Sequence, residues 1–129
     1  MGQRIPSDEH TLKQDETYSL ISAAKVEGTD VYNQRGDELG EVDDIMIDKI
    51  SGKVAYAVVT FGGFLGMGQQ RRALPWSVLI YDGHLDGYVV NASEETLRGI
   101  PALVDEASYA DRDWGARVHT HFGVPPYWS

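Results

Sequence analysis

The sequence predicts a mainly β protein: a small β-barrel or rolled antiparallel sheet with short helices and a C-terminal helical segment. Short runs rich in Val, Ile, Tyr and Phe recur between residues 31 and 92, and Gly, Pro, Asn or Asp bound each run. The run 54–61 is apolar on both faces, as expected of a strand covered on both sides. Beyond residue 105 the apolar spacing becomes helical.

The composition narrows the class of protein. The 129 residues suit one domain, and 42% of them are hydrophobic, which is enough to form a core. The absence of cysteine excludes disulfides, thiolate zinc sites and a cysteine nucleophile. The net charge of −9 disfavours binding to nucleic acid, because an acidic chain repels phosphates.

The first elements are short. Residues 1–18 have no clear apolar period, and we expect a flexible N-terminal arm. Residues 22–26 predict a single helical turn that ends at Gly28, and Val31 and Tyr32 predict a short strand. A cluster of turn residues follows at 33–37.

Two longer strands come next. In the strand predicted over 39–48 the apolar alternation slips, and a bulge at Asp43 and Asp44 restores the inward face. The strand predicted over 54–61 carries two small residues, Ala55 and Ala57. Their size indicates close approach by a helix or by a second subunit.

Shorter elements complete the predicted sheet. A glycine-rich loop spans 62–69, and strands are predicted over 71–74, 78–81 and 88–92. Ser93 is an expected N-cap for a short helix that stops at Gly99.

The C-terminal segment predicts a helix over 111–122. Its apolar residues recur every four positions, at Ala110, Trp114, Val118 and Phe122. Gly115 interrupts this stripe and weakens the helix by about 1 kcal/mol. We therefore expect three parts: the arm 1–18, a sheet domain 19–104, and a C-terminal helix with an aromatic tail, 105–129.

An ordered series of motifs covers roughly residues 20–98. It consists of Ile21-Ser22-Ala23, Gly28-Thr29-Asp30-Val31-Tyr32, Gly36-Asp37-Glu38-Leu39-Gly40-Glu41-Val42-Asp43-Asp44-Ile45, Ile47-Asp48, Gly52-Lys53-Val54-Ala55-Tyr56-Ala57-Val58 and Leu74-Pro75-Trp76-Ser77. This series resembles the PRC-barrel family. That family includes the cytoplasmic domain of the photosynthetic reaction-centre H subunit and the C-terminal domain of the ribosome maturation factor RimM.

The resemblance implies a small β-barrel that serves as an interaction module. In the H subunit the domain docks on a membrane complex and helps to deliver protons to a quinone, and in RimM it assists ribosome assembly. This chain is acidic and has no apolar run near the roughly 20 residues that a transmembrane helix needs, so it departs from both. The sequence predicts a cytoplasmic protein. The resemblance carries over no catalytic residue and no cofactor.

The loop 62–68 is the first candidate interaction site. It lacks the Lys-Ser/Thr of a phosphate-binding loop, which disfavours nucleotide binding. Its apolar residues, Phe64, Leu65 and Met67, either form an interface or fold back onto the core.

Other charged and aromatic residues have structural interpretations. The acidic set Asp37, Asp43, Asp44 and Asp48 lacks calcium-loop spacing, so we expect it to bond turn amides rather than a metal. His119 and His121 lie on different faces of the predicted helix, and we expect both at the surface. Arg71 and Arg72 are expected to charge a strand edge.

We therefore predict a non-enzymatic, homodimeric adaptor that uses no cofactor and binds an unknown protein partner. The interface would use the 62–68 loop, the Ala55 and Ala57 face, or the C-terminal helix through Trp114 and Phe122. Tyr127 and Trp128 form an aromatic tail suited to docking on the chain's own body or on another subunit. The alternatives are an accessory of a membrane or photosynthetic complex, and a barrel that binds a small ligand or a metal.

Overall fold

The structure is a computed structural model that describes residues 20–62, 68–103 and 105–129. Its strands are β1 (Asp30–Tyr32), β2 (Glu38–Ile47), β3 (Val54–Phe61), β4 (Gln70–Pro75), β5 (Leu79–Asp82) and β6 (Gly87–Val90). Its α-helices are α1 (Ala23–Val26), α2 (Glu94–Arg98) and α3 (Arg112–Phe122), and short 3-10 helices span Trp76–Val78 and Glu106–Ala110.

The six strands form one sheet in the order β4-β3-β2-β1-β6-β5. The edge strands β4 and β5 are consecutive in the chain and are joined only by the 3-10 helix Trp76–Val78. A connection this short brings the two edges of the sheet near each other, so the sheet curls into a half-barrel. The predicted rolled, mainly β fold is therefore confirmed.

One strand pair differs from a purely antiparallel sheet. β1 and β6 run parallel, with Val31 opposite Tyr88, whereas the other pairs are antiparallel. β6 reaches the free side of β1 only after the chain has passed through four other strands, and it arrives in the same direction. Sequence patterns do not encode this pairing.

The predicted bulge in β2 is present. The pairing with β3 shifts between Val42 and Asp44, which leaves Asp43 as the extra residue. Val42 and Ile45 can both pack on the inner side as a result, Val42 within the core and Ile45 against it. Asp43 instead reaches sideways to β4 and accepts a hydrogen bond from Arg71 Nε at 2.8 Å.

The main core fills the inside of the curl. Leu97 of α2 enters this core, and the Ser93 side chain caps the helix by accepting from the Thr96 amide, as predicted. The buried residues of the core are Val26, Val31, Leu39, Val42, Ala57, Val59, Phe61, Leu74, Val78, Leu79, Tyr88, Val90, Leu97 and Ile100.

A second, smaller core lies on the outer face of the sheet. It contains Ala55, Tyr56, Ala73, Trp114 and Val118, so α3 covers β3 and β4 from outside. The prediction that strand 54–61 is covered on both sides is confirmed. Within the described ranges, no helix has the length and apolar character needed to cross a membrane.

Candidate interaction surfaces

An aromatic cluster holds α3 and the C-terminal tail against the sheet. Tyr56 of β3 lies at its centre and is only 2% exposed. Its ring centroid lies 5.4 Å from those of Trp114 and His119, 5.6 Å from that of Tyr127 and 6.1 Å from that of Tyr109. These tilted and edge-on arrangements are the favoured ones for aromatic pairs. Burial, followed by the neighbouring Tyr127 and Tyr109, raises the pKa of the Tyr56 hydroxyl well above its ordinary value.

Gly115 allows the cluster to close. A Cβ atom at this position would lie 3.0 Å from the Tyr56 hydroxyl oxygen and 3.1 Å from two carbons of the Trp128 ring. The glycine that interrupts the predicted apolar stripe is therefore the notch into which Trp128 fits. Trp114 is held in place by a hydrogen bond, in which its Nε1–H donates to the Ala102 carbonyl at 3.1 Å.

The aromatic tail docks on the chain's own body. Gly123 takes a left-handed conformation, with φ of 71°, and the Val124 amide donates back to the His119 carbonyl at 3.0 Å. This cap turns the chain back along α3. The Arg112 guanidinium then lies 4.3 Å from the centroid of the Trp128 ring, within cation–π range. Of the two docking alternatives for the tail, the structure shows the intramolecular one.

The expectation of surface histidines is wrong for His119. This residue is 2% exposed, because the tail folds over α3, and its Nδ1 lies 2.7 Å from the Gly115 carbonyl oxygen. A carbonyl oxygen only accepts, so Nδ1 carries the proton that is donated. His121 is partly buried, and its Nε2 donates to the Thr96 carbonyl at 2.6 Å, which ties α3 to α2.

Several predicted interface residues are buried within the single chain. Ala57 belongs to the inner core, whereas Ala55 belongs to the outer core together with Trp114, so α3 supplies the predicted close approach at Ala55. Phe122, Tyr127 and Trp128 are partly buried. Phe64, Leu65 and Met67 lie outside the described residues, and their part in an interface stays a prediction.

Of the acidic set, Asp48 bonds a turn amide as predicted, whereas the others bond side chains or, for Asp44, the next amide of its own strand. Asp48 accepts from the Ile50 amide at 3.2 Å and from the Ser51 hydroxyl at 2.7 Å. These bonds, with that of Ser51 the strongest, lower the pKa of Asp48. Asp44 accepts from the Ile45 amide at 2.8 Å. Throughout the described ranges, no group of three or more acidic or histidine side chains could hold a metal ion.

The described surface includes a groove and a larger cleft, both open to solvent. A groove of about 310 Å³ lies between the tail and the sheet, and Val54, Trp76 and Pro125 contribute to its lining. A cleft of about 600 Å³ lies between the 33–37 turn and α2. A hydrogen bond between the Gln34 and Asn91 side chains joins its two sides, and an ion pair between Arg35 and Asp37, at 3.4 Å, lies at its wall.

The outer face of the sheet is exposed on the side away from α3. Tyr32 of β1 pairs with Val89 of β6, and Val89 pairs with Ile80 of β5. Paired residues share a face, so these three side chains form one row, which we call the outer strip. Ile80 is 57% exposed, and Tyr32 and Val89 are partly exposed. The strip ends on β5, an edge strand of the sheet.

Carboxylates lie near the Tyr32 end of the outer strip. We call Asp30, Glu38, Glu41 and Asp86 the acid rim. Glu38 lies opposite Tyr32, Glu41 lies opposite Asp30, and the Tyr32 hydroxyl donates to Asp30 at 3.5 Å. The negative charge of Asp30 is the main cause that raises the pKa of Glu38. Burial and then the charges of Asp30, Glu38 and Asp86 raise the pKa of Tyr32.

Sequence reasoning did not find this surface. The alternation of Leu79 and Tyr81 with Ile80 indicates an outward Ile80, but a single exposed isoleucine is an ordinary feature. The strip exists only because β5, β6 and β1 become neighbours, and the parallel β1–β6 pair that joins them is not encoded in any local pattern.

The curled sheet, its covering helix and the exposed outer strip together define a small half-barrel domain. The family comparison agrees, since the model of the PRC-barrel domain matches residues 19–97. The chain belongs to the PRC-barrel domain family. The search of curated proteins found no match.

The solved structures that are similar to this chain include one ribosomal RNA processing protein. It is a Pseudomonas aeruginosa protein described as a 16S ribosomal RNA processing protein RimM, and it is 18% identical to this chain with a TM-score of 0.41. The match covers 62% of this chain and 48% of that protein, so this chain spans about half of its length.

Proposed function

We propose that the chain is a non-enzymatic protein–protein interaction module that engages a partner through the outer strip. The observation that carries this proposal is the division of the outer face of the sheet. One half is covered by the chain's own α3 and tail, whereas the other half presents Ile80 at 57% exposure beside Tyr32 and Val89. An apolar row on a rigid sheet is a suitable contact surface for another protein.

The proposal also includes a homodimer, formed through a surface other than the outer strip. In a two-fold contact the same patch faces itself, so a dimer through the strip would bring two acid rims together. Like charges placed opposite each other across an interface weaken binding by several kcal/mol, which is an order-of-magnitude figure. Self-association and partner binding can therefore coexist on different faces.

Site-specific photo-crosslinking tests the partner surface. Ile80 is replaced by p-benzoylphenylalanine in one variant, and Ile50, which is 95% exposed in the β2–β3 turn, is replaced in the control. In cells that express the chain from its own gene, we expect an adduct of higher mass from position 80 and none from position 50. An adduct at twice the chain mass from position 80 would place the homodimer on the strip. Equal adducts from both positions, or none from either, would contradict the proposal.

A further inference from the structure

We propose that the outer strip and acid rim together bind a basic, partly apolar segment of a partner protein, in which Lys or Arg residues flank aliphatic ones. This inference rests on the proposed function and gives the partner its chemistry. The apolar row Tyr32, Val89 and Ile80 would take the aliphatic side chains, and the carboxylates beside it would take the cations.

The charges that raise the pKa of Tyr32 and of Glu38 are all negative. Asp30, Glu38 and Asp86 each act on the Tyr32 hydroxyl, and Asp30 and Glu41 act on Glu38. Carboxylates held this close repel each other, and cations from a partner relieve that repulsion. Only a positively charged partner relieves this repulsion, so the charge of the partner determines whether it binds here.

The same charges exclude other occupants. A nucleic acid or an anionic lipid headgroup meets carboxylates at this face, and both ligands need basic residues instead. A second copy of the chain brings its own acid rim to a two-fold contact. The apolar row also makes this surface different from a patch of acidic residues alone. The exposed Ile80 side chain can contact an apolar group of a partner, whereas a hydrated counter-ion gains nothing from it.

The two ends of the face are already distinct in this chain. A second row of outward residues lies beside the outer strip and runs toward β4. In this row Glu41 pairs with Thr60, and Thr60 pairs with Arg71. Arg71 neutralises Asp43 there through an ion pair of 2.8 Å. Asp43 is therefore already paired within the chain, and the cations of the partner would lie at the β1 end of the face, where Glu38 lies opposite Tyr32 and Glu41 opposite Asp30.

Fluorescence anisotropy with labelled peptides tests the inference on the full chain. The probes are two peptides of about eight residues, a typical strand length, with Lys alternating with Val in one and Glu alternating with Val in the other. We expect the basic peptide to bind and the acidic peptide not to bind. Affinity should fall as salt rises from about 0.1 M to 1 M, because the screening length shrinks from about 10 Å to 3 Å.

Matched variants separate this surface from the general acidity of the chain. Asp30→Asn with Glu38→Gln should weaken binding about tenfold, whereas Glu95→Gln with Glu106→Gln, which removes the same charge elsewhere, should change it about twofold or less. Ile80→Ser should weaken binding about tenfold, and the exposed control Ile50→Ser should leave it unchanged. Equal losses in the test and control variants would overturn the inference.

Amide chemical-shift mapping on the unmodified protein gives a readout that depends on no variant. Shifts concentrated at Tyr32, Val89 and Ile80 support the inference, and shifts spread over other acidic surfaces overturn it. Photo-adducts from position 80 without binding of the basic peptide would overturn the inference and leave the proposed function standing. Neither adducts nor peptide binding would overturn both.

Discussion

Gly115 shows how one residue can be unfavourable locally and required by the fold. A glycine within a helix costs about 1 kcal/mol relative to alanine. Here the missing side chain lets the Tyr56 hydroxyl and the Trp128 ring pack directly against the α3 backbone, in space that a Cβ atom would occupy. The aromatic cluster gains ring contacts from this close approach. The cost is the lower helix propensity of glycine within α3.

We expect Gly115→Ala to displace Trp128 and to lower the free energy of unfolding by about 1 kcal/mol, since overpacking outweighs the gain in helix propensity. Urea denaturation of Gly115→Ala, Trp128→Ala and the double variant measures this effect. With Trp128 removed, the alanine should cost less, by about 0.5 kcal/mol or more. Additive effects of the two substitutions would show that the notch does not serve Trp128.

At the scale of elements, α3 is a helix whose ends are fixed by its own sequence. Asp111 begins it by accepting from the amides of Asp113, at 2.9 Å, and Trp114, at 3.4 Å. Gly123 ends it in a left-handed cap. The helix predicted over 111–122 from residue types has nearly these bounds, because helix ends depend mainly on neighbours in the chain.

We expect Asp111→Ala to lower the free energy of unfolding by about 1 kcal/mol, because the first amides of α3 lose their acceptor. Asp111→Asn is the matched control, since its side-chain oxygen can accept the same bonds. Thermal or urea denaturation compares the two variants. If Asn and Ala cost the same, the charge of Asp111 rather than its capping bonds stabilises the helix.

At the scale of the whole molecule, charge and apolar surface are distributed unevenly. The chain carries a net charge of −9, and the carboxylates of the acid rim lie near the Tyr32 end of the outer strip. This arrangement opposes self-association through the strip. The predicted homodimer therefore depends on another surface, for which the apolar residues of the 62–68 loop are the candidates that the sequence offers.

We expect the purified protein to have a native mass near twice its 14.3 kDa chain mass by size-exclusion chromatography with light scattering. Replacing Phe64, Leu65 and Met67 with Ser should lower that mass to one chain and leave the circular dichroism unchanged. Ile80→Ser should not change it. A monomeric wild-type protein would contradict the homodimer, and a dimer that persists in the triple variant would exclude the loop as its interface.

The sequence by itself determined the local features of this protein: the strand runs, the bulge at Asp43, the cap at Ser93, the bounds of the C-terminal helix, and the family resemblance. These features depend on residues that are near one another in the chain. Only the tertiary structure decided that His119 is buried, that Gly115 receives Trp128, and that Tyr32, Val89 and Ile80 form one row. Each of those outcomes requires contacts between distant segments, and such contacts are set by how the sheet curls and where the tail docks.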